Sequence, residues 1–284
     1  MRYEVKHLTR YAYGAPVDLG YHLLRLVPPA TARQRLLAHA IALDPRPERV
    51  GSFTDHFGNA IRHVAIERRH DTFAAELSAA VEVNAVPAPL PEGAPWEEVA
   101  AALRDDGFTS EWAAAEFAYP SPLAPDNAAA RAYAAESFAP ERPIVAALRD
   151  LTTRINRDFA YVPGATTVTT PVAEVMRMRR GVCQDFAHVM IAGLRAHGIP
   201  ARYVSGYIRT ERRGGDASHA WAAVWCGPAI GWIEFDPTND LVVGEEHIVL
   251  AYGRDFSDVS PLRGVILGGG AHTADVSVTV KPAG

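Results

Sequence analysis

The sequence predicts an α+β protein, in which an antiparallel β domain precedes a core built from one helix packed on an antiparallel sheet. Three observations carry this reading. Short runs of alternating polar and apolar residues fill the first 85 or so positions. A proline-rich break is followed by alanine-rich stretches of helical character. A strongly apolar helix at residues 183–197 then leads into three strand-like runs.

In the first part, Tyr3, Val5, His7, Thr9 and Tyr11 share one strand face by period-two alternation. Residues 21–26, 36–43, 51–57, 60–67 and 74–83 read as further short strands, and Gly58-Asn59 reads as a hairpin turn. Strands at this spacing predict an antiparallel sandwich over residues 1–86. Pro87, Pro89, Pro91, Gly93 and Pro95 then crowd residues 87–95, which marks a linker, because proline neither donates to a ladder nor continues a helix. The core is expected over residues 96–284. Its helices fall near 96–104, 127–137 and 143–158, with Pro143 suited to a first turn. Phe186, Val189, Met190 and Leu194 recur at helical spacing, Gly198 is placed to cap that helix, and Pro200 blocks its continuation. Strands are expected at 201–210, 218–226 and 231–236. Val276, Val278 and Val280 suggest a strand that closes the core.

Bulk properties exclude several classes. The 284 residues are 48% hydrophobic and 21% charged, enough for a sizeable core. A formal net charge of −5 without a basic stripe argues against nucleic acid as a partner. No apolar run of about 18 residues is present to span a bilayer. The alternating start Met1–Lys6 does not resemble a signal peptide, so the expected location is cytoplasmic. The two cysteines, Cys183 and Cys226, show no metal-ligand spacing, and a reducing compartment would keep them as thiols. No metal and no cofactor are expected. Oligomeric state is not legible.

Cys183 opens the predicted helix, where the positive end of the helix dipole favours a thiolate and free amide groups can bind an oxyanion. His219 starts one strand and Asp236 ends another. Their midpoint falls in the turn at Gly227-Pro228, so a hairpin would bring them to the same open end. An imidazole oriented by a carboxylate can take a thiol proton and return it to a leaving amine. Each residue has a structural alternative: a small buried thiol, a packed core histidine, a turn-forming aspartate. Only their joint arrangement points to chemistry. Cys226 falls on the opposite strand face from His219 and reads as structural. His56, His63, His188 and His197 are weaker candidates for a base.

Several of these segments resemble a known family. Residues 180–188, Arg-Gly-Val-Cys-Gln-Asp-Phe-Ala-His, and 198–207, Gly-Ile-Pro-Ala-Arg-Tyr-Val-Ser-Gly-Tyr, are similar to the bacterial transglutaminase-like core. So are Ser218-His219-Ala220-Trp221, Gly231-Trp232 and Phe235–Asn239, and upstream Phe159–Tyr161 with Pro163–Thr166. Residues 53–59 resemble the β domain that accompanies this core in bacteria, and residues 253–264 resemble its closing segment. The resemblance implies a papain-like core with Cys183 as nucleophile, His219 as base and Asp236 as orienter. It further implies a peptide or protein substrate, with amide hydrolysis ahead of amine transfer. The tryptophan that donates to the oxyanion in animal members has no counterpart in 159–166, which leaves Tyr161 and Gln184 as candidates. Calcium dependence is not implied, for want of a carboxylate-rich loop. Two other functions stay open: an arylamine N-acetyltransferase-like acyltransferase, whose cysteine would lie nearer the chain start, and a peptide-binding scaffold.

Overall fold

A computed structural model describes residues 1–86, 88–102 and 112–283; Pro87 of the expected linker and the last two positions of the expected helix at 96–104 lie outside them. The first β unit is organised on one long strand, β1 (Arg2–Leu24). β5 (His70–Val83) and β4 (Ala60–Ile66) pair with it along one edge, and β2 (Gln34–Asp44) and β3 (Arg49–Thr54) pair in turn with β5 and β4. The runs read as two strands at 3–11 and 21–26 are one element, with a register shift between Ala12 and Val17. Tyr3, Val5, His7 and Thr9 are buried, while Glu4 and Lys6 between them are exposed and Leu8 is half-buried, as the alternation requires. The β3–β4 hairpin forms where Gly58-Asn59 predicts it. Gly58 takes a positive φ of 85°, and Asp55 Oδ1 accepts from the backbone of Phe57 and Asn59.

The helical middle contains α1 (Trp96–Ala102), a short α2 (Trp112–Ala115) with a 3-10 turn at Glu116–Ala118, α3 (Ala128–Ala135) and α4 (Ile144–Asp158). Asn127 caps α3 by accepting from Ala130 N at 2.9 Å. Next come β6 (Ala160–Tyr161), α5 (Val172–Met178), β7 (Arg180–Gly181) and α6 (Cys183–Arg195). Gly198, at φ 77°, closes α6 as expected, with Ile199 N bonding back to the Leu194 carbonyl. A five-stranded antiparallel sheet follows: β8 (Ala201–Ile208), β9 (His219–Trp225), β10 (Trp232–Asp236), β11 (Leu241–Val242) and β12 (His247–Gly253), ordered β11-β10-β9-β8-β12. Helix α6 packs on the face that presents Ala220, Ala222 and Val224. The element α7 (Phe256–Val259) precedes the last two strands, β13 (Leu262–Gly268) and β14 (His272–Pro282).

Those last strands depart from expectation. The strand around 276–280 forms, but β14 pairs with β1 from Tyr3↔Pro282 to Tyr13↔His272, and β13 pairs with the second half of β1. Residues 262–282 therefore return to the first sheet instead of closing the core. The reason is the length of β1, whose second edge is otherwise unpaired.

The apolar face of the first sheet also meets the core directly. Tyr207, Ile248 and Leu250 from β8 and β12 join Val5, Phe73, Leu77 and Val280 in one buried cluster. Two carboxamides tie the layers together. Gln34 Nε2 donates to the Val249 carbonyl and its Oε1 accepts from Val249 N, at 2.8 and 2.7 Å. Asn59 does the same with Tyr252, at 2.7 and 2.8 Å. Strand β12 is an edge, and these side chains satisfy backbone groups that a further strand would otherwise satisfy. Among the described residues, no helix is long and apolar enough to cross a membrane.

Three buried histidines give the fold a pH dependence. Burial lowers His7, His22 and His188 from 6.5 to about 4. Between those values the unfolded chain binds more protons than the native one, so stability rises with pH through this window and is lost as pH falls from about 6.5 to about 4. His219 is shifted the other way, so its contribution is complete below 6.5 and leaves this slope unchanged. The midpoint of urea unfolding is expected to fall steadily from pH 6.5 to 4.5. His22→Phe, which keeps the ring stacked on Phe73 at 4.3 Å, should flatten that fall.

Candidate active site

The site forms where the start of α6 meets the open end of the β9–β10 hairpin. Val182 precedes α6 in extended conformation, and its N–H donates to Asp185 Oδ2 at 2.7 Å. That oxygen also accepts from Thr166 Oγ1 at 2.6 Å, which ties the 163–166 segment to the helix start. Asp185 is buried, and burial raises its carboxyl above the ordinary range against these two hydrogen bonds. A Cβ on Gly181 would stand 2.5 Å from Asp185 Oδ2, so the glycine is needed for the carboxylate to fold back on the chain. Cys183 thereby becomes the first residue of α6, nearly buried, with the first-turn amides around it lacking helical partners.

Strands β9 and β10 pair through Trp225↔Trp232 and Ala222↔Phe235. The hairpin was expected to centre between residues 227 and 228; the observed pairing shifts its register by two residues. Because the shift is even, His219 and Asp236 remain on one face, diagonal to each other instead of opposite. The connection runs over residues 226–231, with Gly227 and Gly231 both at positive φ.

His219 Nε2 donates to Asp236 Oδ2 at 2.8 Å, with both side chains fully buried. Among the described residues, the other ring nitrogen, Nδ1, is held by no oxygen or nitrogen partner, and the Cys183 sulfur is its neighbour. Burial by itself lowers the imidazole's proton affinity. The Asp236 charge and hydrogen bond, together with the neighbouring Cys183 sulfur, outweigh it and raise His219 well above the ordinary histidine range. Asp236 behaves as the counterpart: burial opposes its charge, yet His219 and His247 hold it far below the usual carboxylate range. Its Oδ1 accepts from Thr238 N and Asn239 N at 2.9 and 3.3 Å, and its Oδ2 from Asn239 Nδ2 at 2.8 Å. Pro237 ends the strand so that the next two amides turn back on the carboxylate.

The structure thus gathers Cys183, His219 and Asp236. Tyr161 joins them: a point 2.9 Å from His219 Nδ1, where Gly214 lacks a Cβ, lies 3.3 Å from the Tyr161 hydroxyl. Burial, then the adjacent Cys183, pushes that hydroxyl up to about 12, so it remains a proton donor at neutral pH. Gln184 differs, because its Nε2 donates to the Val168 carbonyl at 2.9 Å and steadies the 165–170 loop. The other histidines point elsewhere. His188 packs on Tyr203, His197 on Phe138, His63 on Phe53, and His56 meets Glu116. Cys226 is buried, and burial pushes its thiol up to about 12.

One residue escaped sequence reasoning. His247, the first residue of β12, donates from Nε2 to Asp236 Oδ2 at 3.1 Å. No motif surrounds it; in the order β10-β9-β8-β12 two strands stand between its strand and the one that ends in Asp236, so nothing local links the two residues. Ligand-type atoms of His219, Asp236 and His247 lie within 4.8 Å of one another, a spacing that their mutual hydrogen bonds account for without a metal ion.

Comparison with known proteins places the chain in a family. Residues 131–237 match the Transglutaminase-like superfamily, and residues 3–82 match the Bacterial transglutaminase-like N-terminal region. An uncharacterized Mycobacterium tuberculosis protein is 41% identical over 296 residues, covering 99% of this chain and 93% of its own length. The chain belongs to the transglutaminase-like superfamily. A Mycobacterium leprae relative of this transglutaminase-like protein is 32% identical and covers 98% of both chains. A protein-glutamine gamma-glutamyltransferase of Pseudomonas aeruginosa is 36% identical over 134 residues, 40% of this chain and 19% of that one. The fold matches the crystal structure of a putative cysteine protease from Cytophaga hutchinsonii, with a TM-score of 0.78 at 22% identity, covering 99% of this chain and 90% of that one.

Gly206 of this transglutaminase-like core sits beside Trp221, and a Cβ there would come within 2.3 Å of both the Trp221 ring and the Ile248 carbonyl. The backbone oxygen cannot yield. Gly206→Ala is expected to cost about 1–3 kcal/mol, read as a lower urea midpoint, and to slow alkylation of Cys183 by displacing the wall behind His219.

Proposed function

We propose that the protein is a cysteine-nucleophile enzyme that attacks peptide or side-chain carboxamides and passes through a thioester on Cys183. The observation that carries this reading is the buried Asp236–His219 pair, whose free Nδ1 adjoins the sulfur at a helix start. Cys183 Sγ, as thiolate, adds to the carboxamide carbon. The oxyanion is taken by first-turn amides of α6 and the Tyr161 hydroxyl. Collapse expels the amine, which leaves with the proton from His219 Nδ1. His219, now neutral, removes a proton from water; the hydroxide adds to the thioester and releases the carboxylic acid and the thiol. Asp236 fixes the ring and stabilises the imidazolium throughout.

Hydrolysis is the first reading, and an amine in place of water gives transfer. The resemblance to a gamma-glutamyltransferase over 40% of the chain supports carboxamide chemistry of either outcome. An arylamine acyltransferase is disfavoured by the position of Cys183 so far along the chain, and a scaffold by the intact donor arrangement around Asp236. The two free thiols suit a reducing compartment, which supports a cytoplasmic setting.

Mass-spectrometric capture of acylated Cys183 after exposure to a peptide pool tests the reading directly and identifies the donor. Adducts are expected on Cys183 and not on Cys226. Alkylation of Cys183 by iodoacetamide near pH 6 should slow by about tenfold or more in His219→Ala, since the imidazolium partner is lost. Asp236→Asn, which keeps the shape but not the charge, should cut turnover by about 100-fold or more. Absence of any acyl adduct, with alkylation indifferent to His219, would refute the proposal.

A further inference from the structure

Asp236 Oδ2 is shared by two imidazoles. His219 approaches from β9 at 2.8 Å, and His247 approaches from β12 at 3.1 Å. Both are buried, and the rings stand 6.2 Å apart. Nothing on β12 itself requires a histidine here, because the strand's backbone pairs with Ile208 regardless of side chain. A buried imidazole bonded to a buried carboxylate is costly to assemble, and its other nitrogen, Nδ1, has no hydrogen-bond partner among the described residues. The arrangement has further supports. Trp221 lies edge-on to His247 at 5.2 Å, and its indole N–H is anchored on Glu234 Oε2 at 2.8 Å. Gly206 removes the side chain that would otherwise block the Trp221 ring against which His247 rests. The strand that carries His247 is clamped at Val249 and Tyr252 by Gln34 and Asn59 from the first sheet.

We infer that His247 is a positioning residue, which holds Oδ2 of the Asp236 carboxylate and so fixes the tilt of His219 toward Cys183. The inference rests on the functional reading above. Three groups compete for Oδ2: His219 Nε2, His247 Nε2 and Asn239 Nδ2. Without His247 the oxygen can rotate toward the remaining donors, and His219 follows it. The first sheet thereby gains a part in the chemistry. Through Gln34 and Asn59 it places β12, and β12 places His247.

The rate of iodoacetamide alkylation of Cys183, followed in the full chain from about pH 5 to 9, tests this. His247→Phe retains a ring but loses the donor, and should slow the reaction about tenfold near pH 6 and move its acid limb to higher pH, the scale of one charge-assisted hydrogen bond. His247→Gln offers an amide N–H to the same oxygen and should recover to within about threefold of wild type. A role limited to structure would lower the melting temperature and leave the profile of the folded variants in place. That outcome, or a Phe variant as fast as wild type, overturns the inference. If His247→Phe does not fold, Gln against the shorter His247→Asn gives the same contrast. Alkylation that ignores His219→Ala defeats the functional reading itself; alkylation that responds to His219 but not to His247 defeats only this inference.

Discussion

A single buried carboxylate governs the architecture of the site. Asp236 has no exposure to solvent, and a charge in that position is tolerable only when every lone pair is engaged. Five donors meet it, two from the turn that Pro237 forces, one from Asn239, and one from each of two imidazoles. Each donor imposes a requirement on its own element. The turn must follow the strand at once, β9 must begin at His219, and β12 must present His247 from beyond β8 and β9. The glycine at 206 and the anchored indole of Trp221 are consequences of bringing that second imidazole within range.

Much of this was legible in the sequence because it is local. Helix α6 shows itself by apolar spacing and its glycine stop, and Cys183 at its start needs no tertiary information. The shared face of His219 and Asp236 follows from strand parity, which is why a two-residue error in register left the pairing intact. Non-local features were hidden. His247 is an isolated histidine whose meaning depends on strand order. Strand β12 itself and helix α5 gave no strong period, and α2 is a single turn. The return of β13 and β14 to the first sheet could not be read from their valine alternation, since alternation names a face but never a neighbour.

The first sheet has a structural task visible in two carboxamides. Gln34 and Asn59 each present a donor and an acceptor to one residue of an edge strand, imitating the pairing that a sixth strand would supply. Below them, Tyr207, Ile248 and Leu250 share a core with the first sheet, and His7 bonds to the Tyr207 hydroxyl at 2.8 Å. The two layers are held by polar pairing at the rim and by apolar contact beneath it. That combination resists sliding as well as separation.

The double pairing of β1 has a consequence for biosynthesis. One side of this 23-residue strand is covered early by β4 and β5, but the other waits for residues 262–282. While the ribosome is still adding the helical middle and the second sheet, a long row of amides and carbonyls stands open at the nascent surface. Such a row is a template for mispairing with another chain. Exposed Lys6 and Arg10, alternating with the buried face along that stretch, place charge where a stray strand would have to dock.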